Sequence, residues 1–145
     1  MSAELAAPHF IDSNVFVYLF DTTDKRKREI AHDVVDNALG QGSGCISHQV
    51  VQETLNIVTR KLAKPLGPDD AERFMTHSLL PLWRVSPSAA LYGKGLQLQA
   101  RFSLSFYDAL IVAAALEAGC TRLLSEDMQH GLRIETLRIE NPFKR

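Results

Sequence analysis

His9-Phe10-Ile11-Asp12-Ser13-Asn14-Val15-Phe16-Val17-Tyr18-Leu19-Phe20 is the stretch on which the reading of the fold turns. The apolar run ending at Asp12 has the length of a short strand, and residues 15–20 resume an apolar pattern that suits a helix. The same alternation continues outward. Residues 29–39 predict a long helix, stopped by Gly40-Gln41-Gly42-Ser43-Gly44. Residues 45–46 predict a second strand, with Ser47 placed to cap a helix that reaches residue 64, just before Pro65. Pro68, at a first helical position, opens another helix to about residue 80, and residues 82–85 predict a third strand. Ser86-Pro87 starts a helix to residue 102, and Ser105 starts the most apolar helix, ending at Gly119. Residues 121–124 and 134–139 are the last two predicted strands. Strands separated by helices imply a parallel sheet with helices on both faces. Ligands of such sheets bind at the carboxyl ends of the strands.

At 145 residues the chain is long enough for one ordinary domain, and no repeat or linker divides it. With 46% hydrophobic and 23% charged residues it reads as globular rather than disordered. A formal charge of −1 gives no global positive field, so nucleic-acid binding would need a local patch. Cys45 and Cys120 lack CxxC or Cys/His spacing and read as reduced core thiols of a cytoplasmic protein, with no zinc site. No stretch approaches a membrane span and the start lacks a signal-peptide pattern, so a cytoplasmic location is expected.

Four acids sit where acids are costly. Asp12 stands between two apolar runs at the end of the first strand and is partly desolvated there, although a plain helix cap explains it equally well. Asp108 opens Ala109-Leu110-Ile111-Val112-Ala113-Ala114-Ala115-Leu116, apolar on every side. Ser105-Phe106-Tyr107-Asp108 also fits an S-x-x-D capping box. Asp127 follows a strand, where turn aspartates are common, and neighbouring Glu126 competes with it for any ligand role. Glu53 lies on a helix whose apolar stripe reads as Val51, Leu55, Val58 and Leu62, so periodicity alone makes it a solvated residue. The arrangement says more than any member. Two acids follow strands and two lie in the first turns of helices, so a parallel sheet can bring all four to one edge. Unpaired carboxylates repel, and Mg²⁺ or Mn²⁺ would cancel that repulsion with the oxygen ligands it prefers.

These residues carry a family resemblance. Phe10-Ile11-Asp12-Ser13-Asn14-Val15, Glu53 in Gln49-Val50-Val51-Gln52-Glu53, Ser105-Phe106-Tyr107-Asp108-Ala109-Leu110-Ile111 and Leu123-Leu124-Ser125-Glu126-Asp127-Met128 resemble the four acidic motifs of the PIN-domain ribonucleases. The likeness extends especially to the small VapC-like toxins of bacterial type II toxin–antitoxin pairs, and it covers nearly the whole chain. Met128-Gln129-His130-Gly131 is a less typical ending. The resemblance implies a three-layer α/β/α sandwich with a central, mainly parallel sheet. It implies a flexible N-terminal segment at residues 1–8 and the nuclease domain at residues 9–141. The implied activity is endonucleolytic cleavage of RNA with one or two Mg²⁺ or Mn²⁺ ions. Asp12 and Asp108 would be the principal ligands, Asp127 and Glu53 would complete the shell, and Asn14 and Ser125 would orient them. A cognate antitoxin whose tail covers the acidic pocket and a homodimer formed through helices are the implied partners.

Other signals weigh less. Lys25-Arg26-Lys27-Arg28 is the one basic run and a possible RNA contact, although a solvated helix start explains it too. Arg60, Lys61, Lys64, Lys94 and Arg101 are further candidates for a basic patch. The glycine-rich stretch precedes a strand and reads as a helix stop, not a phosphate loop. His9, His32, His48, His77 and His130 show no metal-binding spacing. Leu91, Leu96, Leu98 and Phe102 suit core or a subunit contact. Haloacid-dehalogenase-type phosphatases also place an aspartate after their first strand, but want a second acid two residues on, where this chain has Asn14. A non-catalytic RNA-binding module and a housekeeping RNA-processing nuclease remain as alternatives with the same fold.

Overall fold

Phe10 and Ile11 have no solvent exposure, and the strand they form, β1 (His9–Ile11), lies in the middle of a six-stranded sheet. The computed structural model describes residues 8–145, so the expected N-terminal segment lies outside the described residues except for Pro8. The elements follow in order: α1 (Ser13–Tyr18), α2 (Lys25–Gln41), β2 (Gly44–Ser47), α3 (His48–Arg60) and α4 (Pro68–Phe74). Then come β3 (Trp83–Val85), α5 (Ala89–Phe102), α6 (Phe106–Glu117), β4 (Arg122–Leu124), β5 (Arg133–Ile134) and β6 (Leu137–Glu140). The strand order is β3-β2-β1-β4-β6-β5, and every pairing except β5 with β6 is parallel. The expected α/β/α architecture is therefore present, with β2 packed by α2 and by α6.

Two close approaches fix the layers. A Cβ on Gly44 would stand 2.6 Å from the Ala38 Cβ, so α2 rests directly on β2. A Cβ on Gly95 would stand 2.7 Å from Leu110, which lets α5 and α6 pack against each other. Burial of Ala109 through Ala115 explains why α6 is apolar on every side: it lies between the sheet and α5. No described helix is long and apolar enough to cross a membrane. Cys45 and Cys120 are free and buried.

The structure corrects several sequence readings. The single strand expected at residues 134–139 is a hairpin, β5 and β6, turned by Glu135 at φ 55° without a glycine to announce it. The helix expected from Pro68 to about residue 80 stays α-helical only to Phe74, then widens into a π turn at Met75–Leu79 and tightens at Leu80–Leu82. Ser88, not Ser86, caps α5, its hydroxyl accepting from the Leu91 amide at 3.0 Å. The helix after β2 ends at Arg60 rather than residue 64, and α2 begins at Lys25, four residues before the expected start. Of the α5 apolar set, Leu91 and Leu98 are core while Leu96 is 56% exposed. Phe143, past the expected domain end, is buried against Tyr18.

Candidate functional site

The sheet delivers Asp12 to its carboxyl edge. The Asp12 amide donates to the Leu124 carbonyl at 3.0 Å, continuing the β1–β4 pairing by one residue, and its own carboxyl then caps α1 by accepting from the Ser13 amide at 2.8 Å. Cap and site are thus the same side chain. The second carboxyl oxygen, Oδ2, accepts from Ser125 Oγ at 2.8 Å and from Asn14 Nδ2 at 3.4 Å. Asn14 Nδ2 also reaches Asp127 Oδ2 at 3.1 Å and Ser125 Oγ at 3.4 Å, while its Oδ1 accepts from the Glu126 amide at 3.2 Å. One asparagine therefore ties the end of β1 to the loop after β4.

Asp12 is 5% exposed. Burial pushes its carboxyl up to about 7, against the lowering effect of the Ser125 and Ser13 hydrogen bonds, and the charges of Glu53 and Asp127 push the same way. Asp108 is half-buried and its carboxyl is also raised, first by burial and last by the Asp127 charge, with the Ser105 hydroxyl opposing. Charge interactions therefore link the acids in series: Glu53 and Asp127 act on Asp12, and Asp127 acts on Asp108. Ser105 Oγ accepts from the Asp108 amide at 3.2 Å, so the capping reading of that motif holds alongside its place in the cluster.

Glu53 differs from its sequence reading. The face of α3 that is buried carries Val50, Val51, Thr54 and Val58, whereas Leu55 is only half-buried. Glu53 flanks that face and is half-buried, with Oε1 shielded from solvent and without a partner. Thr54, polar yet 0% exposed, is the residue that hid the true stripe. Gln49, one turn earlier, donates to the Tyr107 carbonyl at 3.2 Å and so fixes α3 against the first turn of α6, which holds Asp108.

The Glu126 carboxylate has partners of its own. It is engaged by Lys27 Nζ at 2.6 Å and by the Tyr18 hydroxyl, and Lys27 also stands 4.9 Å from the Tyr18 ring centre. That pairing gives Lys27 a structural place, as does the bond from Arg28 to the Asp21 carbonyl at 3.2 Å for its neighbour, while Lys25 makes an exposed pair with Glu29 at 3.8 Å. The basic run is thus only partly available to a ligand. Lys94 and Arg101 both turn to Glu135, at 2.6 and 3.5 Å.

An all-oxygen donor set suits a hard divalent cation. Among the described residues no three Asp, Glu, His or Cys side chains converge closely enough to enclose an ion by themselves. A cation such as Mg²⁺, which commonly takes one or two carboxylates and keeps several waters, would not need three of them. The unpartnered Glu53 Oε1 and the unfavourably buried Asp12 carboxyl are both groups that a cation would satisfy.

The family model described as PIN domain matches residues 9–131. The fold is similar to that of a toxin–antitoxin complex from Klebsiella pneumoniae, at TM-score 0.66 and 16% identity, covering 92% of this chain and 97% of that one. It is similar to VapC20 of Mycobacterium tuberculosis, described as a sarcin-ricin loop cleaving toxin, at TM-score 0.58 and 20% identity, covering 82% and 91%. FitAcB of Neisseria gonorrhoeae is similar at TM-score 0.66 and 16% identity, covering 93% and 98%. No protein of curated function matches in sequence. At these identities the structural likeness is one of fold.

Proposed function

The chain belongs to the PIN-domain family, and from that premise we propose that it is a divalent-metal-dependent endoribonuclease, the toxin of a toxin–antitoxin pair. The observation that carries the reading is the buried Asp12 carboxyl, oriented by Ser125 and Asn14 and within charge reach of Glu53 and Asp127 at the carboxyl edge of the sheet. Asp12 and Asp108 would hold Mg²⁺ or Mn²⁺, with Asp127 and Glu53 completing the acidic ring. One or two bound cations would neutralise the phosphate and stabilise the leaving oxygen of an in-line displacement.

The side chains supply the rest. Ser125 and Asn14 hold Asp12 in one orientation, and Asn14 does the same for Asp127. A carboxylate such as Glu53 or Asp127 would hold the attacking water and take its proton. The water oxygen bonds to phosphorus, the bond to the bridging ribose oxygen breaks, and that oxygen leaves with a proton from solvent. No protein nucleophile is needed.

Three structural likenesses support the partner reading: the Klebsiella structure is a toxin–antitoxin complex, and VapBC2 from Rickettsia felis and VapBC from Salmonella typhimurium are DNA-bound assemblies. By extension this chain would act in the cytoplasm, pair with a second copy of itself, and be inhibited by a small antitoxin covering the acidic edge. The first test is cleavage of a single-stranded RNA panel with Mg²⁺ or Mn²⁺, with chelator, and with Asp12→Ala and Asp108→Ala. Metal-dependent cleavage lost in both variants is the expected result. Equal activity in the variants, or RNA binding without turnover on any substrate, sinks the nuclease reading, the second outcome in favour of a binding module.

A further inference from the structure

The strand order extends the site to a residue that sequence reading assigned to capping. β1 pairs Phe10 with Leu123 of β4 and with Cys45 of β2. Asp12 directly follows β1 and Ser125 directly follows β4, while Ser47 ends β2 on the other side of β1, so the strand order brings all three residues to the same edge of the sheet. The β4 half of that statement is confirmed by the 2.8 Å bond from Ser125 Oγ to Asp12. On the β2 side the pairing with β1 runs to Phe10 and Cys45, and β2 shifts its register against β3 between Ile46 and Ser47.

Ser47 is 1% exposed and its hydroxyl has no partner. It is the N-cap residue of α3, yet its side chain makes no capping bond, and the first turn of the helix has no acidic residue. A thirteen-residue helix whose first-turn amides point at the carboxyl edge offers partial positive charge to an anion. An N-cap serine can turn its hydroxyl over the end of the helix by changing χ1. Glu53, six residues into the same helix, has the second unpartnered oxygen of this flank. A buried hydroxyl without a partner destabilises the folded chain, so its place beside a catalytic carboxyl calls for a ligand that uses it.

We propose that Ser47, with the first-turn amides of α3, receives a non-bridging oxygen of the RNA phosphate on the side of Asp12 opposite Ser125. This assignment rests on the nuclease reading. It makes Ser47 a substrate-positioning residue, and it gives the acidic edge an anion-accepting wall that does not depend on the Lys25–Arg28 run.

The test uses Ser47→Ala in the full chain, with Ser43→Ala as control, since Ser43 is also buried and unpartnered but precedes β2 at the opposite edge. Binding of a fluorescein-labelled single-stranded RNA is measured in an Asp108→Asn background with Mg²⁺, alongside kcat, KM and thermal melting in the parent. Ser47→Ala is expected to weaken RNA binding roughly three- to tenfold. It should lower kcat/KM to match, leave the salt dependence of binding unchanged because no charge is lost, and keep or raise Tm, while Ser43→Ala changes neither binding nor turnover. Ser47→Ala protein that binds and cleaves like the parent overturns the assignment and leaves the nuclease reading standing. A loss of activity that tracks a fall in Tm overturns it too. A parent protein that neither binds nor cleaves RNA overturns both.

Discussion

Toward β4, the carboxyl of Asp12 accepts from Ser125 at 2.8 Å and from Asn14 at 3.4 Å, and Asn14 carries the connection on to Asp127 at 3.1 Å. Toward β2, Ser47 Oγ and Glu53 Oε1 are both buried and neither has a partner. The difference in finish is physical. A satisfied network fixes the position of its members, whereas each unsatisfied buried group costs about 1–3 kcal/mol that the rest of the fold must offset. A fold tolerates that cost where the groups act on something else. The β4 flank therefore sets the geometry of the acids, and the β2 flank is the one proposed to meet substrate.

Asp12 lies between the flanks, and altering it gives the largest effect. Asp12→Asn should reduce RNA cleavage at least about a hundredfold, since changes to mere supporting partners of metal ligands already cost 10–100-fold. Stability should move the other way. An unfolded aspartate ionises near 3.8, whereas burial holds this one up to about 7. Below pH 3.8 both states keep the proton. As pH rises from there, the unfolded chain releases it first, so wild-type stability falls until about pH 7, where the loss is complete. Asp12→Asn removes that loss. In chelator at pH 8 it should gain up to roughly 4 kcal/mol, less whatever its altered hydrogen bonds take back, and the advantage should vanish near pH 3.5. Denaturant melts across that range check it. An advantage that does not change with pH would mean Asp12 is not the buried acid described.

How much of this could be read in the chain depends on distance along it. The strands were legible because apolar runs end abruptly at Asp12 and before Asp127, and Asp108 was legible because it opens a helix with no polar face. Glu53 was found by motif likeness alone. Its periodicity misled because Thr54, a polar residue, occupies a core position that Leu55 was expected to fill. The β5–β6 hairpin escaped because Glu135 adopts the left-handed region that turns normally give to glycine or asparagine. Lys27 and Glu126 stand 99 residues apart, and no local pattern signals their pairing. Ser47 looks like a cap in sequence, and only the strand order, its burial and the missing capping bond make it anything else.

Ser125→Ala sharpens the contrast between the flanks at the next scale down. It removes the hydroxyl that donates to Asp12 and accepts from the Asp127 amide at 3.3 Å. Because Ser125 is 0% exposed and its partners are left unsatisfied, the variant should lose about 1–3 kcal/mol of stability. Cleavage should fall about 10–100-fold. Ser47→Ala, on the other flank, should cost activity without stability. If Ser125→Ala melts like the wild type, the β4 flank is not the one that holds the acids in place.

Lys27→Met gives the smallest effect and decides whether the basic run belongs to the site or to the scaffold. Lys27 and Glu126 are bonded at 2.6 Å with side chains 27% and 23% exposed, and the loop after β4 that carries Asp127 also carries Glu126. A partly exposed ion pair of this kind is worth about 1 kcal/mol or less, so melting should shift only slightly. Cleavage should drop a few-fold at most, through looser placement of Asp127. The informative quantity is the slope of RNA affinity against salt. A lysine that touches phosphate releases a counterion, and its removal lowers that slope by about one. A lysine committed to Glu126 does not. An unchanged slope places Lys27 in the framework behind the acidic edge, whereas a lower one means that the ion pair opens when RNA binds and that Lys27 reaches the backbone after all.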